Sequence, residues 1–255
     1  YIRTHNRRYQ DHDNYVWVRD AKANKLVVGT QCRILYQDAM GRMNIALKFN
    51  EMVRNGEIGP VILGREILKK GKARAVVINS GNANAATGEQ GIQDAKAVQA
   101  LAEELLGLGK DEVFVSSTGV IGQRLPVEKV MDGVRQIVPM LSADKGSDAA
   151  WAIMTTDLVR KECAYELELS GGTIRIGAMC KGSGMIHPNM ATLLSYVTTD
   201  AKVEANELQK MLSAACDKSF NMLTVDGDTS TNDSLFLLAN GASGVELRTE
   251  EDRKT

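Results

Sequence analysis

The chain has almost no net charge and no long apolar run, and these two absences exclude several classes of partner. Its 255 residues hold 31 Lys and Arg against 32 Asp and Glu, so the formal net charge is −1. A chain so balanced has no electrostatic attraction to DNA, RNA or an anionic membrane. No apolar run approaches the roughly 20 residues that cross a bilayer, and residues 1–10 lack the apolar centre of a signal peptide. We therefore expect no nucleic-acid partner and no membrane association.

Cysteine and histidine are both scarce. The four cysteines lie far apart without a CxxC pair, which favours reduced thiols in the cytoplasm over a disulfide framework. The three histidines are His5, His12 and His187, and two of them lie in the N-terminal segment. A Ser-His-Asp triad or a multi-histidine metal site is therefore hard to assemble, and we predict no metal. An enzyme of this composition needs a base other than histidine.

Nucleotide and calcium motifs are also lacking. Residues 182–184 read Gly-Ser-Gly, but His187 stands where a dinucleotide fingerprint needs its third glycine, and no GxxxxGK[ST] occurs. The acidic stretch 226–233 resembles a calcium loop only superficially, because Thr231 replaces the glycine that the turn requires. We interpret it as a polar loop.

The pattern of the chain changes near residue 64. Before it, apolar residues at 43, 45, 46, 47 and 49 have roughly helical spacing, which predicts a helix over about 41–55. Residues 1–64 hold too few apolar residues for a core of their own, so we expect an edge or appendage beside a domain at 65–255.

Strand and helix patterns alternate from residue 65 onward. The β-branched run 75–79, an amphipathic helix ending near Gly107 and the short strand 113–115 form the one unit that reads as a crossover. Next come a helix starting at Pro126 and a hairpin over 162–178. A strand over 192–198, a helix over 203–220 and a strand over 235–239 follow. This order favours a mixed, layered α/β fold.

Thr192 is a candidate nucleophile. It follows the small Ala191 and the stretch 181–191, which contains glycine and proline, and it begins a strand-like segment. Cutting the chain just before a threonine frees an α-amine that serves as the base for its own hydroxyl. The alternative is an ordinary β-branched strand residue, and both interpretations stay open on the pattern alone.

Thr118, Gly119 and Lys181 are candidate binding groups. A tight turn after a strand presents N–H donors, and a threonine hydroxyl adds another donor for an oxyanion. Lys181 can hold a carboxylate as a point charge. The alternatives are a plain strand-to-helix turn and a solvated surface lysine. The residues by themselves lead to an α/β protein with a candidate acyl-transfer site.

Six blocks in order point to a known family. They are VINSGNANA (77–85), SSTGVIG (116–122), MTTD (154–157), KGSGMI (181–186), HPNMATLL (187–194) and TVDGDTSTND (224–233). On these blocks, residues 61–244 resemble the bifunctional ornithine acetyltransferase/glutamate N-acetyltransferase family of arginine biosynthesis. The resemblance implies a layered α/β sandwich, here incomplete because the family continues beyond residue 255.

The resemblance also implies a reaction. The precursor would cleave itself between Ala191 and Thr192, and Thr192 would carry an acetyl group from N-acetylornithine to glutamate. Thr118 and Gly119 would stabilise the oxyanion, while Thr155, Lys181 and Thr192 would bind substrate. No cofactor is implied, although some members accept acetyl-CoA as donor. The cleaved α and β chains would associate, as a heterotetramer in the family.

A second resemblance covers residues 15–65. The strings WVRDAKAN (17–24), VGTQCRILYQD (28–38) and NEMVRNGEIGPV (50–61) are similar to part of urocanase. We therefore expect a chimera, with a urocanase-like appendage at 1–64 and a truncated acetyltransferase domain at 65–255. The alternatives are an inactive chimeric fragment, a urocanase (urocanate hydratase) remnant that would respond to NAD, and an aminopeptidase with an N-terminal nucleophile.

Overall fold

Two β-sheets with flanking helices make up the described part of the chain. The computed structural model describes residues 58–187, 193–228 and 230–253, together with two strands at 31–36 and 43–49. The strands are β1 (Gln31–Tyr36), β2 (Met43–Phe49), β3 (Lys72–Ala73), β4 (Ala75–Asn82), β5 (Val113–Val120), β6 (Lys161–Leu169), β7 (Gly172–Lys181), β8 (Leu194–Thr199) and β9 (Ser234–Ala239). The helices are α1 (Gly59–Leu68), α2 (Gly88–Leu106), α3 (Val127–Ile137), α4 (Gly146–Ala152) and α5 (Ala205–Asp217).

The smaller sheet has the order β1-β4-β5, with β4 and β5 parallel and β1 antiparallel to β4. Helix α2 connects the parallel pair, which confirms the predicted crossover. The helix buries Ala95, Val98 and Ala102 on one face and stops at Gly107, whose φ of 63° is left-handed. Because β4 is buried along nearly its whole length, it reads as a continuous apolar run rather than an alternating one.

The larger sheet has the order β3-β2-β9-β8-β7-β6. The predicted hairpin is confirmed as β6 and β7, which pair from Lys161 with Cys180 to Leu169 with Gly172. Strands β8 and β9 are parallel, with α5 between them in the chain. This second crossover was not predicted, because a long polar segment separates α5 from β9 and hides the repeat of the strand–helix–strand pattern.

The predicted helix over 41–55 was wrong, because residues 43–49 form β2. Ile45, Leu47 and Phe49 also alternate with a period of two, and so short a run fits a strand as well as a helix. Pairing with β9 decides between them.

Strand β2 lies between β3 and β9, and the proposed domain division between residues 64 and 65 falls inside α1. That division into domains stays a prediction.

The two sheets pack on each other through alternating side chains. Phe236 of β9 meets Phe114 of β5 edge to face, with ring centroids 5.5 Å apart, and stacks on Tyr196 of β8 at 5.1 Å. The preceding residue, Leu235, points to the opposite face and packs with Leu208 of α5 in a second cluster. The layered α/β architecture is therefore as predicted. Within the described residues, none of the helices is long and apolar enough to span a membrane.

Phe236→Ala should lower the free energy of unfolding by about 3 to 5 kcal/mol, because it removes a ring that is 1% exposed and joins both sheets. Tyr165→Ala is a matched control, since this aromatic residue of β6 is 62% exposed and should change stability by less than about 0.5 kcal/mol. Urea unfolding followed by circular dichroism measures both. Equal losses for the two variants would contradict the packing described above.

Candidate active site

Thr118 and Gly119 lie at the end of β5, not in a turn after it. The predicted strand stopped at residue 115 because Ser, Ser, Thr and Gly follow, yet pairing with β4 continues through Ser80 with Thr118. The polar side chains are tolerated because they are satisfied inside the fold. Ser117 donates to Oδ1 of Asn79 at 2.6 Å, and Tyr196 donates to Oγ of Ser116 at 2.7 Å.

Gly119 is the position where no side chain fits. Its φ is +134°, a conformation that other residues rarely adopt, and a Cβ would lie 2.2 Å from the carbonyl carbon of Gly81. The register between β4 and β5 shifts at this point, around Asn82. The two strand ends therefore approach each other closely, with an irregularity of the kind that often lies beside active sites.

Lys181 ends β7 and contacts Thr118 across the two sheets. Its side chain is buried, and Nζ donates to Oγ1 of Thr118 at 3.2 Å. Since that hydroxyl oxygen accepts from Lys181, its own proton remains available for a further acceptor. Burial lowers the pKa of Lys181 below its usual value, while the charges of Asp157 and Asp233 oppose this. The structure thus brings together two of the predicted site residues.

Asp157 was not assigned a role from the sequence, although it ends the MTTD block. It is fully buried. Its Oδ1 accepts from the backbone N–H of Gly182 at 2.7 Å and from Nζ of Lys161 at 2.6 Å, and its Oδ2 accepts from the N–H of Thr155 at 3.1 Å. One carboxylate therefore fixes the backbone of Thr155, a predicted substrate-binding residue, and of Gly182, which directly follows another one, Lys181.

The ionisation of Asp157 follows from these contacts. Burial alone would raise its pKa, but the charge of Lys181 and the hydrogen bonds from Lys161 and two backbone N–H groups outweigh burial and lower it. Asp157 therefore stays a carboxylate at neutral pH. Asp157 and Lys161 lie four positions apart, but the segment between them is not helical, so this spacing gave no sequence signal for the ion pair.

A second buried carboxylate, Asp233, lies where β8 begins. Its Oδ1 accepts from the backbone N–H of Leu193 at 2.8 Å. Leu193 leads directly into β8, whose first residue pairs with Lys181. The predicted nucleophile Thr192 and its neighbour Ala191 lie outside the described residues, so their roles stay predictions.

The loop before β9 is hydrogen-bonded near the ends of β4 and β5 in the smaller sheet. Asn232 donates through Nδ2 to the carbonyl of Ala83 at 2.5 Å and to the carbonyl of Ser117 at 3.0 Å. Earlier in the same loop, Asp226 accepts from the N–H groups of Met185 and Ile186 at 2.5 and 3.0 Å. These side chains hold loop backbone together, which fits the interpretation of 226–233 as a polar loop.

The arrangement unites a buried ammonium group, a hydroxyl with a free proton and a strand end that only glycine can form. Such donors suit a negative charge that develops on an oxygen during acyl transfer. Two carboxylates balance the ammonium group and fix the neighbouring backbone. The site lies between the sheets, where β5 and β7 end and β8 begins.

Comparisons with known proteins identify the family of the chain. A model of the ArgJ family matches residues 50–255. An arginine biosynthesis bifunctional protein ArgJ from Symbiobacterium thermophilum is 56% identical over 185 residues, which are 72% of this chain and 46% of that protein. A glutamate N-acetyltransferase from Methanocaldococcus jannaschii is 48% identical over 190 residues, 73% of this chain and 47% of that protein.

A solved structure shows the same fold. The ornithine acetyltransferase of Mycobacterium tuberculosis, complexed with ornithine, matches with a TM-score of 0.55 and 31% identity. The match covers 66% of this chain and 93% of that one. This chain spans about half the length of the curated relatives it matches. Because the family model covers most of its residues, the chain belongs to the ArgJ family.

Proposed function

We propose that this chain contributes to a glutamate N-acetyltransferase of arginine biosynthesis, which transfers the acetyl group of N-acetylornithine to glutamate. The observation that carries the proposal is the contact between Lys181 and Thr118 beside the start of β8. It unites two residues 63 positions apart in the chain, each assigned to the active site by the family resemblance. Of the relatives named above, the one from Methanocaldococcus jannaschii is named a glutamate N-acetyltransferase, and the one from Symbiobacterium thermophilum is named an arginine biosynthesis bifunctional protein.

The first step we propose is self-cleavage. Oγ of Thr192 attacks the carbonyl carbon of Ala191, the bond to the Thr192 nitrogen breaks, and the hydroxyl proton passes to that nitrogen. Water then hydrolyses the resulting ester, so Ala191 ends in a carboxylate and Thr192 has a free hydroxyl and a free α-amine. That α-amine is the base that the scarcity of histidine requires.

Acetyl transfer then proceeds in two halves. Oγ of Thr192 attacks the acetyl carbonyl of N-acetylornithine, and the proton passes through the α-amine to the departing ornithine nitrogen. The amine of glutamate attacks the acetyl ester and releases Thr192, which regains its proton. Each half forms a tetrahedral oxyanion that Thr118 and Gly119 would stabilise, while Thr155 and Lys181 would bind substrate.

Several finer predictions belong to the same proposal. Acetyl-CoA would serve as an alternative donor, with no bound cofactor or metal. The two cleaved chains would associate with each other and then form a heterotetramer. A cytoplasmic location and the inactive-fragment alternative stay predictions from the sequence.

The urocanase-like appendage also stays a prediction. The family model begins at residue 50, so residues 50–65 are matched by the ArgJ family as well. A urocanase remnant would gain thermal stability when NAD is added, whereas an acetyltransferase chain would not.

Freshly purified protein should give two species of 191 and 64 residues by intact mass, corresponding to residues 1–191 and 192–255. Thr192→Ala removes the attacking hydroxyl and should leave one uncut chain of 255 residues. Thr198→Ala is the matched control, because this threonine of β8 is exposed and should cleave like the unsubstituted chain. An uncut unsubstituted chain, or cleavage that persists in Thr192→Ala, would contradict the proposal.

Thr118→Val keeps the shape of the side chain and removes the hydroxyl that contacts Lys181. Loss of one oxyanion donor should slow self-cleavage about 10²- to 10³-fold. The time course of cleavage by mass spectrometry measures this, and thermal unfolding checks that the variant is folded. If the folded variant cleaves at the unsubstituted rate, Thr118 is not the oxyanion donor.

A further inference from the structure

The backbone of Leu193 is held from both sides by two consecutive residues. Its N–H donates to the Asp233 carboxylate at 2.8 Å, and its carbonyl accepts from the N–H of Ser234 at 2.9 Å. Asp233 is 1% exposed, and Leu193 is buried as well. A hydrogen bond to a buried carboxylate is stronger than one between neutral groups, so this anchor is a firm one.

Leu193 directly follows Thr192 in the chain. The N–H that donates to Asp233 belongs to the peptide group that joins these two residues. We infer that Asp233 is a positioning residue for Thr192, acting through the backbone N–H of Leu193. The inference rests on the proposed function, because it matters only if Thr192 is the nucleophile.

The placement of Asp233 suits this role for a second reason. Its charge acts on Lys181, whose ammonium group contacts Thr118. One carboxylate thus connects the segment that enters β8 with the group that contacts the oxyanion donor. Nothing in the sequence assigned this role, because Asp233 lies 40 residues from Leu193.

Positioning has a measurable consequence for self-cleavage. The attacking oxygen and the carbonyl carbon must lie about 3 to 3.5 Å apart with their orbitals aligned, and a displacement of 1 Å costs about 10²-fold in rate. Asp233→Ala removes the acceptor and should slow cleavage about 10²-fold. Asp233→Asn keeps an acceptor oxygen of the same shape, so its rate should stay within about tenfold of the unsubstituted chain.

Asp252→Ala is the matched control. Asp252 is also buried and accepts from the backbone N–H groups of Ser170, Arg248 and Thr249, but it anchors a different part of the chain. It should cleave at the unsubstituted rate even if it unfolds at a lower temperature. The experiment synthesises each chain in a cell-free system, follows cleavage by intact mass and records thermal unfolding.

The inference is supported if self-cleavage is fastest in the unsubstituted chain, slower in Asp233→Asn and slowest in Asp233→Ala, while Asp252→Ala cleaves at the unsubstituted rate. It is overturned if Asp233→Ala cleaves at the unsubstituted rate, if Asp252→Ala slows as much, or if Asp233→Asn is as slow as Asp233→Ala. If Asp233→Ala fails to fold, Asp233→Asn decides through hydrogen exchange of the Leu193 amide, which should be about tenfold faster than in the unsubstituted chain. Unchanged exchange in Asp233→Asn then overturns the inference.

A failure of the proposed function gives a different result in the same cleavage experiment. An uncut unsubstituted chain refutes the nucleophile, and hydrogen exchange of the Leu193 amide then tests the anchor separately. Exchange should be slow in the unsubstituted chain and about tenfold faster in Asp233→Asn. Unprotected exchange at Leu193 in the unsubstituted chain overturns the inference.

Discussion

The buried ammonium group of Lys181 is the constraint on which the rest of the site depends. A charge removed from water is tolerated only when opposite charges and hydrogen bonds replace its hydration. Asp157 and Asp233 supply the opposite charges, and Thr118 accepts a hydrogen bond. These residues come from four separate segments, so the site forms only when both sheets are assembled. Removing one partner of such a group typically costs about 3 to 5 kcal/mol.

The packing of the sheets and the placement of the catalytic candidates are one arrangement. Phe114, Ser116 and Thr118 alternate along one face of β5, the face that meets the larger sheet. The first stacks edge-on against Phe236, the second contacts Tyr196, and the third contacts Lys181. The apolar contact between Phe114 and Phe236 therefore helps to fix the polar contact between Thr118 and Lys181 at the end of β5. This explains how a hydrophobic core can determine the position of a hydroxyl group.

Local patterns predicted those elements whose neighbours in space are also neighbours in the chain. The hairpin of β6 and β7 and the crossover through α2 are of this kind, and both were predicted from periodicity and turn residues. Strand β2 was mistaken for a helix because seven residues are too few to separate the two periods. Strand β5 was ended too early because its polar residues find partners in other elements, which no local pattern reveals.

The sequence by itself determined the chemistry available and the family. Scarce histidine required another base, and six ordered blocks identified the acetyltransferase resemblance that the family match confirms. Only the tertiary structure decided which residues meet. Asp157 contacts Gly182 across 25 positions, and Asp233 contacts Leu193 across 40. Neither carboxylate could be assigned beforehand, because a hydrogen bond between distant segments depends on how the sheets stack and leaves no periodic signal along the chain.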